Sequence, residues 1–339
     1  PEPMTTDEPA RAYHLYLTTQ GRVPDPPTFT VHDADLARVD LRLHSQGVTQ
    51  PQTGSFVTSA YDDFWSNTNP NRYDVIQPSR RIAYFSAGPD LMWERSLETD
   101  IGGETAQPRS FTAGARYVEH WNAAAIGPIA HPFYYRPQQR LFLGVNHFSP
   151  ATEDHTAFPG WLGTTATTTL RRDGEVVGTS DEPDGGSFEV PTDRARFEVT
   201  TEATREVDWS RLATRVSATW TFDAGPFDSD FNQVTTLGLH VGGSFDLLDR
   251  APAGETFQLD VSATRADPDA AISEITLDVS FDDGATWHPL TLHSSGTDRW
   301  QAEVSHPADA EFVSLRASAR DTSGNRVEQT VIRAYGLRS

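Results

Sequence analysis

The chain has 339 residues, a formal net charge of −21 and no Cys. That length allows two or three domains. The missing thiols exclude disulfides, thiolate metal sites and a cysteine nucleophile, and the acidic balance argues against a sequence-independent grip on nucleic acid or anionic lipid.

All 27 basic side chains are Arg and none is Lys, a bias that suits a GC-rich genome or an exposed life among proteases. No apolar run approaches the roughly 20 residues of a membrane helix, and Pro1-Glu2-Pro3-Met4 is not a signal-peptide start. The chain therefore reads as a mature or internal piece of something longer.

In chain order, 12–18 and 39–44 alternate apolar and polar residues on either side of the breaker-rich Pro24-Asp25-Pro26-Pro27, and alternation of this kind predicts half-buried strands. The segments 55–61, 80–86, 92–97 and 116–123 continue the pattern, with Asn67 to Asn71 as a long polar connection. No window sustains a helical period, so residues 1–128 are expected to form a β-rich domain. A second unit, 129–249, is expected to be a β-sandwich: 141–143, the Thr-rich 164–171, a hairpin through Arg172-Asp173-Gly174-Glu175, and strands at 185–191, 196–201, 215–222 and 236–241. Asp249 to Gly254 looks like the clearest linker.

The last unit, 250–339, has the least ambiguous pattern. Ile275, Leu277, Val279 and Phe281 alternate with Thr276, Asp278 and Ser280 before Asp282-Asp283-Gly284 breaks the run, and the chain returns through Trp287, Leu290 and Leu292. Val313, Leu315, Ala317 and Ala319 then alternate into the turn 321–325 and out through Val327 to Tyr335. Short strands punctuated by Gly, Asn and Asp, with one large Trp inside, describe an immunoglobulin- or fibronectin-like sandwich. The fold class expected is all-β, with tandem β-sandwich domains.

Four stretches resemble, in order and spacing, the C-terminal non-catalytic region of large secreted subtilisin-like serine peptidases of actinomycetes. They are Glu119-His120-Trp121-Asn122 with Gly127-Pro128; Leu170 to Gly178; Val279 to Trp287; and Val313 to Ala319 continuing through Gly324-Asn325 to Tyr335. The resemblance implies a secreted, extracellular protein whose partner is the subtilisin-like catalytic domain of the same precursor. The family's catalytic segments are not present. Gly178-Thr179-Ser180 comes nearest, but Asp181-Glu182-Pro183 follows where a helix should open, so no catalytic residue is carried over.

Among candidate sites, the acidic segments 181–185 and 223–230 could offer oxygen ligands to a weakly held calcium ion, though a solvated acidic loop is the simpler reading and neither has EF-hand spacing. None of the 11 His residues falls in a zinc spacing, and His288 and His293 read as surface residues. Two aromatic clusters, Tyr61 with Trp65 and Phe133-Tyr134-Tyr135, are read as loops able to stack on sugar or peptide. Burial as plugs between domains would explain the same residues. The expected function is accessory: to stabilise or position the catalytic domain and present substrate. The alternative is an independent carbohydrate- or surface-binding module, with neither nucleic acid nor membrane as partner.

Overall fold

A computed structural model describes residues 10–19, 21–22, 25–61, 70–100, 102–157 and 163–339. The described chain is built almost wholly of strands arranged in five sheets. The first unit pairs a four-stranded sheet, ordered 10–14, 79–86, 36–43, 116–121, with a five-stranded sheet, ordered 155–157, 102–110, 92–99, 52–61, 71–77. Their inward residues, among them Val39, Leu41, Phe56, Phe85, Trp93 and Trp121, form one apolar cluster. The alternation in 36–43 places Val39, Leu41 and Leu43 in that core, as a period of two requires. Leu15 and Leu17 would have extended the first strand, but pairing stops at His14 and both stay exposed.

The remaining chain forms two sandwiches that share a sheet. One four-stranded sheet is ordered 185–189, 140–149, 127–135, 231–233; another is ordered 238–243, 256–264, 299–305, 293–296. Both pack against a nine-stranded sheet in which Arg215–Ala224 pairs antiparallel with Arg326–Arg338, Arg215 opposite Ile332 and Thr221 opposite Arg326. The hydrogen bonding thus continues from the second expected domain into the third, and one apolar cluster underlies both.

Two expectations change here. The strand Gly238–Gly243, placed by sequence in the second unit, pairs with 256–264 of the last one. The expected linker 249–254 is packed structure, because Arg250–Pro252 pairs with Gly336 to Arg338 and Asp249 is fully buried. Asp249 instead ties the units together. Its Oδ1 accepts from the Ala124 amide at 3.0 Å and lies 2.8 Å from His44 Nδ1, while Oδ2 accepts from the Gln46 amide at 3.0 Å. Polar residues read as loop material locally become core once a distant segment satisfies them.

In the last unit the strands Ile272–Ser280, Phe312–Asp321 and Arg326–Arg338 stand where the alternation puts them. The turn at 321–325 is closed by the Asp321 carboxylate, which accepts from the Asn325 amide and side chain, both at 2.8 Å. The hairpin after Ser280 is less regular than its sequence suggests: only His288–Pro289 returns to the same sheet, and His293–Gly296 crosses to the other. Trp287 is not the buried tryptophan. It is half-buried under the Arg316 guanidinium, 4.8 Å from the ring centre, whereas Trp93, Trp121 and Trp220 fill the cores.

Candidate functional site

The segment expected as an aromatic loop is a strand. Gly127–Tyr135 pairs along its length with Arg140–Ser149, Phe133 opposite Phe142 and Tyr135 opposite Arg140. Pro128 and Pro132 within it point away from a strand on composition alone. They are tolerated because the far-side pairing with 231–233 reaches Phe133 and then engages Pro132 only through its carbonyl, which accepts from the Val234 amide at 3.2 Å, so no proline N–H is called for there.

Alternation then sorts the aromatic run. Tyr134 faces inward, fully buried, stacked on Phe227 at 4.0 Å, with its hydroxyl donating to the Val190 carbonyl at 3.0 Å. It belongs to the core and is withdrawn as a binding residue. Phe133 and Tyr135 face out and are half-buried. Phe133 is the centre of a stack: Phe142 lies 4.8 Å away with its ring plane within 6°, and Phe231 lies 5.0 Å away on the other side at 24°. Phe231 is 57% exposed. Three near-parallel rings on three neighbouring strands, stacked face to face, make an apolar strip on the outer face of the sheet.

Polar groups frame the strip. Arg140 lies between Glu189 and Tyr135 in register and donates through Nε to Ser187 Oγ at 2.6 Å. Ser187 and Gln233 flank the Phe142–Phe133 row. The loop that delivers Phe231 is the acidic stretch 223–230. It is anchored by Phe227 under Tyr134, by the Arg136 amide donating to Asp230 O at 2.9 Å, and by Arg136 Nη1 donating to Asp228 O at 2.9 Å. The exposed Phe231 ring and the outer ring edges are left to meet the apolar face of a sugar ring or apolar side chains.

Tyr61 lies far along the sequence at the end of the strand Gln52–Tyr61, half-buried opposite Met92 in the first unit. It is not part of the strip, and Trp65 lies outside the described residues. Phe142 and Phe231 were missed by sequence reasoning. Phe142 was findable, because Leu141, Leu143 and Val145 claim the inward positions of 140–149 and leave 142 outside. Phe231 sits among Asp and Ser residues with no local pattern to mark it.

Other expected features take structural places. Ser180 ends the edge strand Glu175–Ser180, and its Oγ accepts the Glu182 amide at 3.2 Å. Among the described residues no group of three or more His, Asp or Glu is placed to hold a metal ion. His288 and His293 are exposed. Glu119-His120-Trp121-Asn122 is a structural junction: Glu119 lies 3.2 Å from Arg95, His120 Nδ1 is 3.0 Å from His44 Nε2, and Trp121 meets Phe56 edge-on at 5.0 Å. The Asn122 amide donates to Glu104, whose other oxygen is hydrogen-bonded to His155.

No known protein family matches the sequence, and neither does any characterised protein. Among solved structures, 52 chains match. The fibronectin(III)-like modules of Clostridium thermocellum CbhA share 10% identity over 57% of this chain and 85% of theirs, with a TM-score of 0.19. A three-immunoglobulin segment of titin shares 9% over 91% of this chain and 98% of its own, with a TM-score of 0.19. Fibronectin domains of chicken CNTN1 share 10% over 88% and 99%, with a TM-score of 0.18. The fold class is all-β, with the sheets packed as tandem β-sandwiches, as the strand pairing and the apolar clusters establish.

Proposed function

We propose that this chain is the non-catalytic β-sandwich region of a secreted subtilisin-like serine peptidase, positioning the catalytic domain and presenting substrate through the strip of Phe142, Phe133 and Phe231. The resemblance in four sequence stretches supports the peptidase part. The observation that carries the presenting role is the stack itself: an outward phenylalanine 57% exposed, held against two others in near-parallel planes, costs solvation without stabilising a core. Exposed apolar patches mark interaction sites.

The same strip favours a second reading, an independent extracellular carbohydrate-binding module. One comparison separates the two. The wild-type chain and Phe133→Ala and Phe231→Ala variants are passed over an unfolded-protein matrix and over insoluble polysaccharides, and culture fluid is tested for a co-eluting peptidase with a serine-hydrolase probe. Retention on unfolded protein with a labelled partner supports the accessory role; retention on polysaccharide alone supports the module. Each substitution is expected to weaken retention about five- to tenfold, the worth of about one stacking contact. Unchanged retention in both variants removes the strip from either role.

A further inference from the structure

The strand Ala195–Arg205 ends at a side chain that the fold leaves electrically unanswered. Arg205 is buried. Its Nη2 donates to Gln46 Oε1 at 2.7 Å, Ser210 Oγ at 2.9 Å and the Leu212 carbonyl at 2.7 Å. All three acceptors are neutral. Among the described residues no carboxylate pairs with it, and neither Nε nor Nη1 finds an acceptor. Burial draws the guanidinium down to about 9, still protonated at neutral pH.

A buried cation without a counter-charge is costly, and natural interiors answer it with an anion. Aromatic faces supply part of the answer here: Phe148 lies 4.2 Å and Trp209 5.1 Å from the guanidinium carbon. Arg205 also borders a cavity of about 70 Å³ between the first and second units, lined in addition by Phe148, Trp209, His147 and Gln52. The neighbouring carboxylate is committed elsewhere, since both oxygens of Glu104 are engaged by His155 and Asn122. His147 adds no charge, because burial lowers it to about 4.

We infer that this cavity is a carboxylate-binding site, in which the open edge of Arg205 receives one carboxylate and Phe148 and Trp209 pack against the apolar carbon chain that bears it. The volume admits a compact group of the size of acetate. Either a small free carboxylate or the C-terminus of a polypeptide presents that chemistry, and neither depends on the role of the aromatic strip.

The test is calorimetric titration of the full chain with acetate, and with one short peptide ending in an apolar residue, made as the free acid and as the C-terminal amide. Saturable binding of the free acid, with the amide at least about tenfold weaker, the low end of a charge-assisted hydrogen bond, assigns a polypeptide C-terminus. Saturable binding of acetate without the peptide assigns a small carboxylate. Arg205→Met is expected to abolish either signal, and Arg205→Lys, which keeps the charge and loses the fork, to weaken it. Absence of saturable binding by acetate and free acid alike overturns the inference, as does equal binding by acid and amide. The acid-to-amide comparison on the wild-type chain decides even where a variant fails to fold.

Discussion

At the scale of single residues, backbone conformation and buried polar atoms set the strictest limits. Gly185 has φ +116° and sits where a Cβ would lie 1.8 Å from the Leu143 carbonyl oxygen, a backbone atom that cannot swing away. Gly185→Ala is therefore expected to destabilise the protein by roughly 2–4 kcal/mol, combining a strained φ with a clash in the sheet, as read by urea unfolding. Tyr134→Phe should behave differently. It removes one hydroxyl from a hydrogen bond to Val190, costs about 1 kcal/mol, and leaves the stack of Phe133 untouched, so stability moves and retention on any matrix does not. Phe231→Ala should show the reverse, since its ring is largely in solvent.

At the scale of strands, legibility followed how much of a strand's environment is local. The run 275–281 was plain because one face meets solvent and the other the core, so period two is written directly into residue type. The strand Gly102–Ser110 was invisible. Its inward residues include Glu104, which is buried only because His155 arrives from about 50 residues away to meet it, and no window of sequence holds both. One ring of the aromatic strip was legible for the same reason: Phe133 lies in a visible cluster, whereas Phe231 reaches its neighbours through a loop whose anchors, Phe227 and Arg136, belong to different segments. The turn at Asp282 carries its own prediction. Its carboxylate accepts from the Thr286 hydroxyl at 2.7 Å and amide at 2.8 Å and from Ser280 at 2.7 Å, bonds that hold it down to about 2. An NMR titration should find Asp282 ionising well below an ordinary aspartate, and the Thr286→Val variant should return it toward the usual range.

At the scale of the molecule, buried histidines set the acid limit. Burial lowers His14, His120 and His147 from 6.5 to about 4. Between those values the unfolded chain binds protons that the folded one does not, so their contribution is whole above about pH 6.5 and drains away as pH falls toward 4, each at up to about 1.4 kcal/mol per unit. His155 opposes them weakly. Burial would lower it, but Glu104 raises it overall, so its contribution is present below 6.5 and is lost as pH rises through its folded value. The melting temperature should hold near neutrality and drop between pH 6.5 and 4, and His147→Gln should flatten that drop. The shared nine-stranded sheet makes a second expectation: residues from 127 onward should melt as one calorimetric transition, and a chain ending at 249 should not fold its second sandwich.

That last dependence reaches beyond equilibrium. The strand Arg326–Arg338 lies in the middle of the nine-stranded sheet, beside Arg215–Ala224 on one flank and Phe312–Asp321 on the other, yet it leaves the ribosome after every other strand of that sheet described above. Arg215–Ala224 must therefore wait through about a hundred residues of synthesis with an open edge, several seconds at ordinary elongation rates. An open edge of that kind invites pairing with another chain. The nascent sheet is thus most exposed to misassembly until Arg326–Arg338 has emerged, and slowing elongation just before Arg326 should raise the aggregated fraction more than slowing it anywhere in the first unit.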